Sequence, residues 1–213
     1  MSAYRIQFGD AGISNPYNKR ASRGLSAFDF RQNLTNSLMY ELPMGKGRKL
    51  FSNAGRAADL IVGGWQIGSI VTLISGFPVS PVCGSGAVQN GDGACYPDNV
   101  GRNPNRPRGQ QDPRRWFDTS AFVNRLPDAG FRYGNAGRNT IIGPGVINWD
   151  FSALKDFRIA ERHTLELRWE VFNLPNHPLW DAPGGTVGAP NHGVISATKI
   201  DNRQMQLALR YQF

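Results

Sequence analysis

Residues 203–213 alternate along nearly their whole length. Met205, Leu207, Leu209, Tyr211 and Phe213 share one parity, and Gln204, Gln206, Ala208, Arg210 and Gln212 share the other. Strand side chains point to opposite faces with a period of two, so this segment builds one apolar and one wet face. A membrane-spanning β-strand needs about 9–11 residues, and the segment has that length. Two folds accommodate such a strand: the wall of a barrel in lipid, or the edge of a soluble sandwich.

Four earlier segments repeat the pattern. In residues 28–42 the even positions are Phe28, Phe30, Leu34, Leu38, Tyr40 and Leu42, against Asp29, Arg31, Asn33, Thr35, Ser37 and Glu41. Residues 60–77 place Ile61, Trp65, Ile67, Val71, Leu73 and Phe77 opposite a mixed face with Gln66, Gly68 and Thr72. Residues 147–159 set Ile147, Trp149, Phe151, Ala153 and Phe157 against Asn148, Asp150, Ser152, Asp156 and Arg158. Residues 163–171 set Leu165, Leu167, Trp169 and Val171 against Glu166, Arg168 and Glu170. Several of these runs exceed the usual strand of about 5–6 residues, and alternating charges along the polar parity suit a water-filled lumen. Asp29, Arg31, Asn33, Glu41, Gln66, Asp150, Glu166, Arg168 and Glu170 are therefore the expected lumen-facing set. Lys155 and Arg203 fall on the apolar parity near strand ends, where long side chains can snorkel to water.

The connections test this reading. Ala160, Glu161 and Arg162 form a tight turn, whereas residues 78–146 are a long excursion. Bacterial barrels have short periplasmic turns and long extracellular loops. If the last strand ends in the periplasm, the directions alternate so that the tight turn falls inside and the long excursion outside. Phe28, Phe77, Trp149 and Phe151 then lie toward an outer rim, and Tyr40, Trp65, Phe157, Tyr211 and Phe213 toward an inner one, as two aromatic girdles require. Trp169 is mid-strand and belongs to neither. Residues 43–59 are long for a periplasmic turn and carry a basic stretch, Met44 to Arg48.

Composition agrees. The 213 residues include 25 Gly and 14 Pro, with 11% aromatic and 19% charged residues, which suits an all-β chain with long connections. No apolar run is long enough for a membrane helix, and residues 1–12 hold no signal-peptide pattern. The net charge of +8 is spread over loops rather than organised on a helix or aromatic motif, so nucleic acid is not an expected partner. Cys83 and Cys95 have no zinc-like companions. They read as an oxidised loop staple, with free thiols as the alternative, and a staple implies an oxidising compartment.

No catalytic constellation, cofactor or metal site is legible. His163, His177 and His192 lie in separate segments, His163 as an interfacial residue and the other two as ordinary exposed loop residues. Glu166 and Glu170 flank Arg168, which a lumen face explains without acid–base catalysis. Gly84, Gly86, Gly91 and Gly93 precede no strand-to-helix transition, so they form no phosphate loop. Asn105, Arg106, Arg108, Trp116 and Phe117 make a basic, aromatic stretch that suits either a glycan or phosphate surface or a packed loop tip.

The order of several stretches also resembles a known family. RGLSAFDFRQNL and YELPMGKGR, then GGWQIGSIVTLISGFPVSP, YGNAGRNTIIGPGVINWDFSALKDF, LRWEVFNLPNHP and HGVISATKIDNRQMQLALRYQF, follow in an order similar to the C-terminal barrel of TonB-dependent receptors. The Oar-like group of Acidobacteria is the nearest pattern, and the likeness runs from Arg23 onward. A barrel ending on an aromatic resembles chains read by the outer-membrane assembly machinery, which would make Tyr211 and Phe213 an assembly signal. The resemblance implies an all-β fold: an antiparallel transmembrane β-barrel segment of about the last five strands, an open curved sheet if alone, with long extracellular loops. It implies residues 1–213 as part of an outer-membrane receptor in contact with lipid. Transport of an unidentified solute would draw on TonB through a plug domain, which these residues do not include. The competing class is a secreted, soluble β-sandwich that binds glycan.

Overall fold

The structure is a computed structural model and describes residues 13, 15, 17–84, 95–124, 132–160 and 163–213. The readings for residues 1–12, for Gly86, Gly91 and Gly93, and for Glu161 and Arg162 of the tight turn lie outside the described residues. The strands among them are β1 (Asn33–Glu41), β2 (Trp65–Ile74), β3 (Pro78–Val79), β4 (Asp98–Asn99), β5 (Phe122–Val123), β6 (Ile141–Ile142), β7 (Val146–Ala160), β8 (His163–Phe172) and β9 (Gln204–Gln212). One short helix, α1 (Arg56–Val62), and a 3₁₀ turn at Thr119–Ala121 accompany them. No described helix is long and apolar enough to cross a membrane.

Two compact units divide the chain. The first comprises Asn33–Leu73, Ile147–Pro178 and Asp201–Phe213 and carries a single five-stranded sheet in the order β1-β2-β7-β8-β9. Register is explicit across its last three strands. Phe151 pairs with Val171 and Phe157 with Leu165 between β7 and β8, and Leu165 pairs with Tyr211 and Val171 with Met205 between β8 and β9, all antiparallel. Leu42 N donates to Trp65 O at 2.9 Å where β1 meets β2, and Asp156 N donates to Gly64 O at 3.0 Å where β2 meets β7.

Three expected strand limits are corrected. β1 begins at Asn33 rather than Phe28. Ser75 N donates to Gln32 O at 2.9 Å as the last backbone link, while Gln32 N turns to the Ser75 side-chain hydroxyl at 3.1 Å, and the paired strand begins only after it. Asp29 and Arg31 therefore lie in coil before the strand, and Phe28 is 68% exposed outside it. β2 begins at Trp65, because Arg56–Val62 is helical and Gly63 and Gly64 break the chain between helix and strand. Gly64 holds φ +68°, a conformation that L side chains rarely adopt. At the other end Phe77 falls beyond β2 and is buried, with Lys199 Nζ 3.8 Å from its ring centroid, so it is not a rim residue.

The second unit, Met1–Gln32, Ile74–Val146 and Leu179–Ile200, has a protein core of its own. Tyr96, Phe117, Ala121, Phe122, Ala136, Ile141 and Val187 form it, with Val79 and Trp116 packed against it. Phe117 is wholly buried, with the Phe122 ring edge-on at 6.1 Å and the His192 ring at 5.3 Å. The pairs β3–β6 and β4–β5 flank this core as two short antiparallel ladders. Polar groups at its margin are matched: Arg132 forks onto Asp98 at 2.8 and 2.5 Å, the bidentate geometry that gives charge-assisted bonds their strength. Ser120, through its hydroxyl and its amide, holds the Asp118 carboxyl below the usual range at the start of the 3₁₀ turn.

His192 is not the exposed loop residue that its position suggested. Both ring nitrogens are buried without a well-formed hydrogen bond, and burial lowers the imidazole below its ordinary value, with the Thr119 and Thr186 backbone partly offsetting this. The unfolded chain then takes up a proton more readily than the folded one. Stability from this residue is complete above the unfolded value of 6.5 and is lost as pH falls below it. Trp116 N donates to Gly193 O at 2.8 Å beside this ring. Hydrogen exchange at the Trp116 amide, corrected for its intrinsic rate, should quicken between about pH 7 and about pH 5. The quickening should be absent in His192→Gln.

Candidate functional site

The register sorts the sheet into two faces. On one, Phe151, Ala153, Lys155 and Phe157 of β7 stand opposite Val171, Trp169, Leu167 and Leu165 of β8, which stand opposite Met205, Leu207, Leu209 and Tyr211 of β9. On the other, Ser152, Leu154 and Asp156 face Glu170, Arg168 and Glu166, which face Gln206, Ala208 and Arg210. A shift of one residue would exchange these faces completely.

The polar face is laced by its own charges. Arg168 Nη2 donates to Glu166 Oε1 at 2.9 Å, and Gln206 Nε2 donates to Glu170 Oε2 across the β8–β9 pair. Asp156 and Glu166, two like charges in register, are followed on the third strand by Arg210. Asp156 and Arg210, which alternation already places on the polar parity, are thereby brought onto one face with Glu166. Their opposing signs become readable only when three strands are aligned. Asp150, at the other end of β7, accepts from Asn148 Nδ2 at 3.0 Å and from Asn173 N at 2.9 Å. Asn173 is buried at φ +53° and exchanges two 3.0 Å bonds with the His177 backbone, so this carboxylate anchors the chain leaving β8.

Asn33 and Glu41 are the first and last residues of β1, both exposed. Glu41 lies 3.7 Å from Arg48 with both side chains more than half exposed, a pair worth about 0–1 kcal/mol. Glu41, Gln66, Asp156 and Arg158 line a polar hollow of about 240 Å³ beside the β1–β2 connection, together with Lys46 and Asp59. Lys46 N donates to Asp59 Oδ1 at 2.6 Å, which folds the basic stretch back onto helix α1.

Lys155 departs from its expected snorkelling. It is 2% exposed, and its ammonium donates to Gly63 O and, at 3.2 Å, to Asp156 O, with the Phe157 ring centroid at 4.6 Å and the Trp65 ring at 5.9 Å. The physical reason is the break after α1. At Gly64 a Cβ would lie 2.6 Å from the Asp156 carbonyl oxygen, so no side chain fits beside the ammonium, and the Gly63 carbonyl is left to receive it. The Gly63–Gly64 pair was the signal in the sequence, and a strand reading through it concealed the helix. Arg203, one residue before β9, is exposed.

At the end of the sheet, Tyr211 stacks on His163 with centroids 5.8 Å apart, and its hydroxyl lies 2.6 Å from Nδ1. Phe213 lies 5.9 Å from the Tyr211 ring and is 90% exposed. Trp149 Nε1 donates to Ser69 Oγ at 2.9 Å, and Trp169 meets Phe151 edge-on at 6.2 Å. In the second unit Cys83 and Cys95 are joined, their Cα atoms 5.4 Å apart, and Cys83 N donates to Cys95 O at 3.0 Å. In the basic, aromatic stretch Arg108 is exposed, whereas the aromatic residues and Asn105 are packed. Phe117 is core, Trp116 Nε1 donates to Ile142 O at 2.8 Å, and both ends of the Asn105 amide bond the backbone of Thr140 and Ile142.

On β9, Met205, Leu207 and Leu209 are 63%, 71% and 66% exposed. A row of apolar side chains without protein cover, backed by a charged face, is what a wall between lipid and water presents. The family described as outer membrane beta barrel domain matches residues 2–206. The chain belongs to that family. This barrel chain is an all-β protein of the outer membrane, which sets aside the secreted, soluble sandwich. No curated protein and no solved structure matches it.

The two faces carry different costs for charge. In the membrane-embedded protein, Leu207→Arg or Leu167→Arg should destabilise by about 2–4 kcal/mol near the midplane. Gln206→Arg should cost far less, as measured by reversible unfolding in lipid vesicles. Equal costs would refute the assignment of faces.

Proposed function

We propose that this chain is part of the wall of a TonB-dependent outer-membrane transporter. The carrying observation is the charged face of β7, β8 and β9, with Asp156, Glu166, Arg168, Glu170 and Arg210 on one surface and an apolar surface behind it. In this reading the polar face lines the solute's path, and the long excursions after β2 and β8 are extracellular and capture the solute. A plug and TonB supply energy, and no catalytic step is involved. The outward parity contacts lipid, and Tyr211 and Phe213 are read by the barrel-assembly machinery. Five strands do not close a barrel, and open edges in hydrocarbon leave backbone groups unsatisfied. The exposed edges β1 and β9 therefore pair with further strands.

Three measurements test this. Cells expressing the gene should deplete a solute from their medium, followed by untargeted mass spectrometry, only while the membrane is energised. Depletion that persists with a protonophore would exclude TonB-dependent import. Residues 1–213 expressed alone in plain buffer should aggregate, because the apolar face has no protein core to enter. A soluble monomer with sharp cooperative unfolding would overturn the wall assignment. Protein exported through the periplasm should have both Cys83 and Cys95 blocked to alkylation without reductant, and closure of that loop should contribute about 3 kcal/mol.

A further inference from the structure

The second unit contains a cleft of about 580 Å³, within the size range of small-molecule sites. Arg23, Arg31 and Arg138 line it beside Asn103 and Asn105, and neither a carboxylate nor an aromatic ring does so. Its walls come from distant parts of the chain and are tied by side-chain amides. Asn139 Nδ2 donates to Leu25 O at 2.7 Å, Asn105 Nδ2 to Thr140 O at 2.8 Å, and Ile142 N to Asn105 Oδ1 at 2.7 Å. Gly24 closes one wall because a Cβ there would collide with the Arg138 carbonyl.

These amides are consumed in building the cleft, whereas two of its guanidinium groups are not. Arg23 and Arg31 are exposed, and among the described residues neither side chain makes an ion pair or a hydrogen bond. Guanidinium forks match the geometry of carboxylate and phosphate oxygens, and like charges in a concavity concentrate positive potential there. A neutral sugar would want an aromatic platform, which this lining lacks.

We propose that this cleft binds a small polyanion bearing carboxylate or phosphate groups, held by Arg23 and Arg31. Binding needs no transport, so the cleft and the proposed function can fail separately.

The test uses protein purified from outer membranes in detergent, titrated calorimetrically at low and high salt with tripolyphosphate, citrate and maltose. Saturable, salt-sensitive binding of tripolyphosphate or citrate but not of maltose is expected, and the preferred probe separates phosphate from carboxylate chemistry. Arg31→Gln, a change in exposed coil, should weaken binding about tenfold, and Arg23→Gln/Arg31→Gln further. Arg108→Gln, an exposed arginine outside the cleft, should leave it unchanged, as should the exchange protection of the Ile142 amide in every variant. The proposal is overturned if neither polyanion saturates, if maltose binds equally, if Arg31→Gln binds like the parent, or if Arg108→Gln weakens binding as much as Arg31→Gln.

Discussion

A strand in hydrocarbon has no water to take its amide hydrogens, so each must find a carbonyl on a neighbouring strand. The rest of this sheet depends on that requirement. Once β7, β8 and β9 pair along their lengths, alternation of side chains is converted into two surfaces. A slip of β8 by one residue would keep many hydrogen bonds but move Glu166, Arg168 and Glu170 onto the apolar face and Leu165 and Leu167 onto the charged one. Charge in hydrocarbon costs several kcal/mol, so side-chain chemistry selects the register that the backbone alone would leave open. The pairing and the polar surface have one cause.

The two units satisfy apolar surface by different means. In the sheet unit, Leu207 and Leu209 remain uncovered by protein. In the second unit, Phe117, Phe122 and Ile141 are covered by protein, as in a water-soluble domain. Polar residues follow the same division. Lys155 on the apolar parity is housed by carbonyls and ring faces, while Lys199 in the second unit lies over Phe77 with Asp181 at 3.9 Å. Burial lowers the Lys199 ammonium's pKa, and Asp181 partly restores it.

What the sequence made legible follows from how local the signal is. β8 and β9 lie within about a residue of their expected limits because period-two alternation is written in neighbouring residues. The helix at Arg56–Val62 was hidden because Ile61 falls by chance on the parity of Trp65 and Ile67, and only the glycine pair marks the break. Asp29 and Arg31 continue the alternation of β1 without joining it, since the pairing ends where the Gln32 amide donates to the hydroxyl of Ser75, 43 positions away in the chain. Which residues of β8 and β9 share the polar face could be read from parity alone. The burial of Lys155 could not, because it depends on the Gly63 carbonyl that receives its ammonium. Trp116 and Phe117 look like a display surface in sequence, yet Phe117 is interior and Trp116 packs half-buried against the core, since nothing local distinguishes a ring that packs from one that binds.

The second unit is assembled from three separate stretches of chain, and this has a consequence for the order of events during export. Its core cannot close until Leu179–Ile200 is in hand, because Ile195 N must reach Pro113 O, Val187 N must reach Val82 O, and His192 must meet Phe117. The cysteines stand only 12 positions apart within one stretch, so their encounter waits for none of this and loop closure at that length is fast. Oxidation can precede tertiary assembly, leaving a chain that crosses the periplasm already carrying one covalent loop while still thin and unlatched. The unit then matures late, when the last stretch arrives to complete it.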